Sequence, residues 1–224
     1  MWEDLTVAKE RALESGAAVA SGTIGALGII EEGRFGLVTK SVPAFRQERT
    51  NWCGPASARQ SLSWHRTFSR SAVALPSQAT LAGRIGTVPE GSTSTGIARA
   101  LNSYSGTFGR FTYVASDLTN QSNPRQAFIL RIGSSLSASP GSVPIILAET
   151  QYIPRYRGHA ARHYVSVSGY DERTAPVRMR SVDPHFDSRF FGIFWDPVGS
   201  TTVNGLFRAC FRADQDGTNL AMVW

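Results

Sequence analysis

The sequence predicts an α+β fold, in which a helical first part is followed by an antiparallel sheet. Before residue 140, helix-compatible runs follow capping residues, as at Thr93 or Ser94. After Pro140 the chain changes to short apolar or alternating runs that are typical of strands. Helices first and strands second favour segregated layers over an alternating α/β fold. The predicted helices are 53–66, 94–104 and 124–136, and the predicted strands are 143–148, 163–170, 177–183, 190–195 and 220–224.

The composition is that of a globular protein. Of the 224 residues, 42% are hydrophobic and only 18% are charged, which excludes an intrinsically disordered chain. The two cysteines, Cys53 and Cys210, exclude a disulfide-rich scaffold and a cysteine-rich zinc module. No apolar run reaches about 18 residues, so no membrane-spanning segment is predicted.

The net charge of +6 comes almost entirely from arginine, since Lys9 and Lys40 are the only lysines. The arginines are scattered, and the nearest thing to a cluster is Arg155, Arg157 and Arg162. A nucleic-acid-binding protein usually shows a basic run or stripe. The pattern therefore predicts a basic, soluble surface and no nucleic-acid partner.

Residues 1–40 are predicted to form an N-terminal extension, with a propeptide as one form of it, and the main domain is predicted at 41–224. An amphipathic helix is predicted at 4–15, and the many glycines after it disfavour further stable helix. The weakly polar run 16–30 follows acidic rather than basic residues, so it lacks the pattern of a secretory signal. The lysine-poor, Ser/Thr/Gly-rich composition is compatible with an exported protein, and a cytoplasmic location stays open.

Cys53 is predicted to lie at the start of a helix, because Pro55 fits only in the first turn. Unpaired N–H groups and the helix dipole favour an anion there, which lowers a thiol pKa and makes a better nucleophile. Gly54 permits close approach of a substrate backbone. Gln47, six residues earlier, is placed to donate its side-chain amide to an oxyanion beside the Cys53 N–H. The alternative is a buried, inert cysteine and a polar loop glutamine.

A histidine base for this nucleophile is predicted on a hairpin of the strands 163–170 and 177–183. If the strands pair symmetrically about Arg173, His163 lies directly opposite Asp183, and Tyr170 faces Pro176. A carboxylate at that position would accept a hydrogen bond from the imidazole and fix its tautomer. A slip of one residue would put the two side chains on opposite faces, so this prediction depends on the register.

A metal site at the histidines is not predicted. His159 and His163 are four residues apart, a spacing that presents two ligands on one face of a helix. Here His163 belongs to a strand pattern, and no glutamate follows His159. The sequence therefore predicts neither a metal nor another cofactor.

The other titratable residues are predicted to have supporting positions. His185 and Asp187 lie in a turn beside Asp183 and are predicted to line the site, and His65 is predicted to pack near the end of the first helix. Cys210 lies in the apolar, strand-like run 206–211 and is predicted to pack as a small hydrophobic residue.

Together these residues resemble the papain-like cysteine peptidases, most closely the bacterial branch related to bacteriocin-leader-processing peptidases. The resemblance covers 42–184, and the motifs follow the family's order of glutamine, cysteine, histidine and acid. Unlike the transporter-linked members, this sequence has no membrane spans and no P-loop after the domain. The motifs are Gln47, Cys53-Gly54-Pro55, the segment His163–Asp171 (HYVSVSGYD) and Val182-Asp183-Pro184.

The resemblance implies a papain-like fold, with the cysteine on the helical part and the histidine and acid on the sheet. It implies that Cys53 is the nucleophile, His163 the general base and acid, Asp183 the orienting residue, and Gln47 an oxyanion donor. The function expected is hydrolysis of a peptide or protein substrate. An amidase or acyltransferase on the same scaffold, or a catalytically silent binding module, stays open. The sequence predicts no oligomeric state.

Overall fold

A computed structural model describes residues 35–217 and 219–224. These residues form helices packed on one antiparallel sheet, with β4 at its centre. Of the helices within this part of the chain, none combines the length and apolar character that crossing a bilayer requires. In chain order the elements are β1 (Leu37–Thr39), α1 (Cys53–Phe68), α2 (Gln78–Ile85), α3 (Ser94–Asn102), β2 (Ala115–Ser116), α4 (Pro124–Ser137), β3 (Ile145–Glu149), two 3₁₀ turns (Thr150–Tyr152 and Pro154–Tyr156), β4 (Arg162–Asp171), β5 (Arg178–Asp183), β6 (Gly192–Pro197), α5 (Leu206–Gln215) and β7 (Met222–Val223).

The sheet has the strand order β2-β7-β3-β4-β5-β6, and β1 pairs with β4 outside this path. All these pairings are antiparallel. The α+β prediction is therefore confirmed. The three predicted helices and five predicted strands are all present, with ends shifted by a few residues.

Two helices were not predicted. In α2, Ser77 caps the N-terminus by accepting from the Thr80 N–H, and Gly86 ends the helix with a φ of 76°. The strand-like interpretation of 206–211 is wrong, because this run begins α5. A short apolar run of this kind fits either a buried strand or the buried face of a helix, and its periodicity does not distinguish the two. Cys210 is nevertheless completely buried, as predicted for a small hydrophobic residue.

The boundary predicted at residue 40 falls inside the sheet. Strand β1 pairs with the far end of β4, from Leu37 opposite Asp171 to Thr39 opposite Gly169. Phe35 packs edge-on against Tyr170, with ring centroids 5.6 Å apart. Residues 35–40 therefore belong to the domain, while the predicted helix at 4–15 lies outside the described residues.

Polar side chains join α1 to β4 across a buried interface. Ser57 donates to the Tyr164 carbonyl at 3.2 Å, and Ser166 donates to Gln60 Oε1 at 2.8 Å. The polar side chains of these residues are buried, and each forms a hydrogen bond inside the protein. Burying them therefore leaves no polar group without a partner. The contacts hold the helix that begins at Cys53 against the strand that begins at Arg162.

Candidate active site

Cys53 is the first residue of α1 and is 8% exposed. Burial by itself raises the pKa of its thiol, but the hydrogen bond and charge of His163 lower it, as do backbone hydrogen bonds from Tyr164 and Gly54. The net effect is a pKa below the ordinary value of a cysteine. These contacts favour a thiolate, which is the reactive form of the side chain.

Gly54 meets a steric requirement inside the protein. A Cβ at this position would lie 2.5 Å from Ser92 Oγ and 3.3 Å from Ile97 Cδ1. The glycine therefore lets the segment before α3 approach the start of α1. The sequence interpretation assigned that close approach to a substrate, whereas the structure shows it with Ser92.

His163 lies at the start of β4 and is 4% exposed. Its Nε2 is 2.9 Å from Asp183 Oδ1, and its ring also hydrogen-bonds the Cys53 sulfur. Burial lowers the pKa of His163, but the Asp183 carboxylate raises it more, with a further contribution from Cys53, to about 10. The ring is therefore an imidazolium at neutral pH, held between the Asp183 carboxylate and the Cys53 sulfur.

The register predicted for this hairpin is wrong. Tyr170 pairs with Met179 rather than Pro176, and beyond an irregularity at Val167/Gly169, Ser166 pairs with Val182. Continuing that register places Asp183 opposite Val165, two residues from His163. Diagonal neighbours at this spacing share a face and are within reach of long side chains. The hydrogen bond between the two side chains therefore forms diagonally.

A β-bulge at Ser168 makes that contact possible. On the turn side of the bulge Gly169 pairs with Arg180, and this register alone would put Asp183 opposite Ser166. Because side chains alternate between faces, Asp183 would then point away from the face of His163. The extra residue changes the register by one and returns Asp183 to the face of His163.

Asp183 is fully buried and accepts four hydrogen bonds. Its Oδ1 accepts from His163 and from the His185 backbone N–H at 2.9 Å. Its Oδ2 accepts from the Arg155 guanidinium and from the Tyr156 hydroxyl, the latter at 2.6 Å. Burial raises the pKa of this carboxyl, but the charge and hydrogen bond of His163, with Arg155 and Tyr156, hold it well below the usual range.

Arg155 and its second partner Asp196 were missed by the sequence interpretation, which treated Arg155 as part of a surface cluster. Arg155 Nε lies 3.1 Å from Asp196 Oδ2, so the guanidinium bridges Asp196 and Asp183. It also lies over the Tyr156 and Phe194 rings, at 4.5 and 4.3 Å. The one sequence signal for this pair was Asp196, an aspartate inside the apolar run of β6, where a buried charge needs a partner.

His185 is buried beside the pair and is neutral. Burial, followed by the charge of His163, lowers its pKa to about 4. Its Nδ1 accepts from the Asp187 N–H at 3.0 Å, so its proton resides on Nε2. Its ring centroid is 5.0 Å from that of His163.

Of the two other histidines, His159 lies at the edge of the site, with its ring centroid 6.2 Å from that of His185, and His65 lies farther along α1. His159 is exposed and stacks on Phe190, with ring centroids 5.3 Å apart. His65 is buried, hydrogen-bonds the Tyr113 hydroxyl at 2.9 Å and stacks on Phe111. Among the described residues, no three side chains of the metal-ligating types come together as a metal site.

Gln47 lies between the two sides of the site. Its backbone N–H donates to the Pro184 carbonyl at 2.7 Å, next to Asp183. Its Nε2 donates to the carbonyls of Arg49 and Thr50, both at 2.8 Å. The amide thus faces the loop that leads to Cys53, and both of its protons are already used. Its Oε1 is buried and accepts no hydrogen bond from the described residues.

Comparison with known proteins identifies the family to which the chain belongs. The profile of the Peptidase_C39 like family matches residues 39–202, which is most of the chain, and the chain belongs to that family. No curated protein sequence matches it.

A solved structure of another protein has the same fold at low sequence identity. The "Recombinant stem bromelain precursor" is 8% identical, with a TM-score of 0.52, over 82% of this chain and 66% of that one. This chain thus spans just under two thirds of the bromelain precursor. UfSP from C. elegans is 16% identical, with a TM-score of 0.45, over 78% of this chain and 34% of that one. The fold is that of the papain-like cysteine peptidases.

Proposed function

We propose that this protein is a cysteine peptidase that hydrolyses peptide bonds through a thioester on Cys53. The observation that supports this most strongly is the contact of Cys53 with His163, in which the thiol pKa is lowered and the imidazole pKa is raised. Such opposed shifts define an acid and a nucleophile in one site. Membership of a peptidase family supports a peptide or protein as the substrate.

In the first half of the reaction, the Cys53 thiolate attacks the scissile carbonyl carbon and forms a tetrahedral oxyanion. As the C–N bond breaks, the His163 imidazolium gives its proton to the leaving amine, and the acyl group remains on sulfur as a thioester. In the second half, neutral His163 takes a proton from water, which attacks the thioester. The carboxylic acid product leaves, and the thiolate and imidazolium are restored.

The oxyanion is proposed to accept hydrogen bonds from the Cys53 backbone N–H and the Gln47 amide. The Cys53 N–H is at the first position of α1, where a helix offers no partner for it. The Gln47 amide already donates to Arg49 and Thr50, so one of these bonds must be shared or exchanged as the oxyanion forms.

Asp183 is proposed to orient His163 and to keep it protonated. Arg155 and Tyr156 are positioning residues, because they contact Asp183 rather than the reacting atoms. The neutral Nε2–H of His185 adds a polar group beside His163. No metal or cofactor takes part in the proposed reaction.

The test is cleavage of a proteome-derived peptide library, analysed by mass spectrometry, together with covalent labelling by a thiol-directed reagent. We expect labelling at Cys53 and cleavage that is lost in Cys53→Ala. Cys210→Ser, which removes the other buried thiol, should retain both. Cleavage that survives Cys53→Ala, or is lost in a folded Cys210→Ser, would overturn the assignment. Amide products formed on addition of free amines would indicate an acyltransferase instead, and labelling without any turnover would indicate a binding module.

We propose further that residues 1–34 are an N-terminal extension that inhibits the peptidase as a propeptide. The proposal is tested by deleting the extension. The deletion ends at residue 34 rather than 40, because β1 and Phe35 pack in the domain. Removing 1–34 should give a folded protein with higher activity. An insoluble product, or activity no higher than that of the full chain, would contradict the proposal.

A further inference from the structure

Strand β6 forms one edge of the sheet, and no other strand in the described part of the chain pairs with its outer side. The register fixes its position relative to the candidate site, since Gly192 lies opposite Asp183, which hydrogen-bonds His163. β6 therefore begins at the end of the sheet that carries the site. A strand added to its outer edge would lie about 14 Å from β4, a distance that roughly five extended residues span.

The backbone groups of β6 point alternately toward β5 and away from it. The Val198 N–H donates to the Val177 carbonyl at 2.9 Å, and these two residues continue the register of β5 with β6 as a hydrogen-bonded pair. In an antiparallel ladder such pairs alternate with pairs that form no hydrogen bond to each other. Counting back along β6, Trp195 and Ile193 belong to the second kind. Their N–H and C=O groups therefore point outward, to the side where the described residues provide no strand.

The same two residues carry exposed apolar side chains. Ile193 is 40% exposed and Trp195 is 38% exposed. Edge strands are commonly protected from pairing by exposed charges or by a β-bulge. The pairing of β6 with β5 contains no bulge, and the one charged residue of β6, Asp196, is buried against Arg155. An unprotected edge of this kind is typical of a strand to which another extended segment is added.

Arginines border this apolar edge. On β5, Arg180 lies directly opposite Trp195, and Arg178 lies two residues before it on the same face. At the other end of β6, the guanidinium carbon of Arg46 lies 4.5 Å from the centroid of the Phe191 ring. Within the described residues none of these three arginines forms an ion pair. The edge is therefore suited to a segment that carries carboxylates.

A second copy of this chain fits the edge poorly. Pairing two β6 strands would bring the arginines of both copies together, and like charges disfavour such a contact. No neighbouring carboxylate relieves this, because Asp171, which lies opposite Arg178 on β4, pairs with Arg173 at 2.9 Å. The occupant that fits is an extended segment of another protein, with apolar side chains and carboxylates.

We propose that β6 is an exosite that binds an extended, acidic segment of the protein substrate as an additional strand. This inference rests on the proposed function, because the bond to be cleaved lies at the neighbouring site. The backbone of the segment bonds the outward groups of Ile193 and Trp195, and its apolar side chains pack on theirs. Its carboxylates pair with Arg178 and Arg46. Since the exosite does not touch the reacting atoms, it lowers KM and leaves kcat unchanged.

The kinetic test compares a long and a short form of one substrate. The most efficiently cleaved peptide of a proteome-derived library is synthesised with about ten residues on each side of the cleaved bond, and again with about three, too few to reach β6. We expect the KM of the long form to be roughly five- to tenfold lower, at equal kcat. Trp195→Ala and Arg178→Glu should remove this advantage and leave the short peptide unaffected. Val73→Ala is the matched control, because Val73 is an exposed apolar residue in the loop after α1.

The structural test detects the added strand itself. Amide hydrogen exchange is followed at single residues in Cys53→Ala, which leaves the long peptide uncleaved. The peptide should slow exchange at Ile193 and Trp195 and have no effect at Val73. Ile193→Pro removes an outward N–H but no hydrogen bond to β5, so it should raise the KM of the long peptide more than Ile193→Ala does.

Equal KM values for the long and short peptides, or unchanged exchange at Ile193 and Trp195, would overturn this inference and leave the proposed function intact. Slow exchange there before any peptide is added would also overturn it. Dependence of that protection on protein concentration would identify a second copy as the occupant, and its loss on deleting residues 1–34 would identify the N-terminal extension. No cleavage of any peptide by a chain that folds would overturn the proposed function, and the inference with it.

Discussion

The two sides of the candidate site are built in different ways. On the helical side Cys53 is placed by backbone groups and small residues, through the start of α1 and the close contact of Gly54 with Ser92. On the sheet side His163 is placed by a chain of buried charged side chains that runs through Asp183 and Arg155 to Asp196. The first side depends on local chain geometry, and the second depends on residues far apart in sequence. Substitutions on the two sides should therefore have different effects on turnover, pH dependence and stability.

The largest effect is expected from His163→Ala, which removes the group that contacts both Cys53 and Asp183. We expect turnover to fall roughly 10³–10⁴-fold, near the upper end for general acid–base catalysis. His159→Ala is the control, because His159 is exposed and stacks on Phe190. Steady-state rates on a mapped peptide measure both. An equal loss of turnover in the two variants would contradict the assignment of His163, rather than His159, as the catalytic base.

Asp183→Asn should reduce turnover less, on the order of 10²-fold, since it leaves the base in place. The pH profile gives the sharper result. His163 loses its proton above about pH 10 because the carboxylate raises its pKa, so removing that charge lowers the pKa. The alkaline limb of the rate profile should then move to lower pH. A limb that stays in place would show that Asp183 does not set the charge of His163.

Sequence reasoning succeeded where the structure is local. The helix start at Cys53 follows from Pro55 and the residues around it, and the structure places it there. The pairing of His163 with Asp183 was predicted from the wrong register, because the symmetric pairing took no account of Gly169, a glycine inside a strand run of the kind that marks a bulge. The two side chains still share a face, since the register error is an even number of residues.

The rest of the sheet side was not predictable from the sequence. Arg155 lies in a turn before β4, and only the three-dimensional fold brings it between Asp183 and Asp196. In a basic sequence, an arginine that is close to two others is interpreted as part of a charged surface. Gln47 shows the same limit, because its spacing from Cys53 gave no sign that both amide protons bond to its own loop.

Arg155→Met should have a smaller effect on turnover than Asp183→Asn and a larger one on stability. It leaves buried Asp196 without its cation and Asp183 with His163 alone, which is expected to cost about 3–5 kcal/mol of unfolding free energy. Losing a positive charge near His163 should move the alkaline limb to higher pH, opposite to Asp183→Asn. Urea unfolding and the pH profile measure these, with exposed Arg157→Met as the control. A limb that moves the same way in both variants would contradict the bridging arrangement.

The most direct test of the central claim is the pH dependence of Cys53 alkylation, followed by mass spectrometry at that residue in Cys210→Ser. The contact with His163 predicts that Cys53 reacts as a thiolate below the ordinary cysteine pKa of about 8.5. In His163→Ala the same reaction should require a higher pH, because the cation that favours the thiolate is gone. Titration of Cys53 at or above about 8.5, unchanged by His163→Ala, would contradict the thiolate–imidazolium pair.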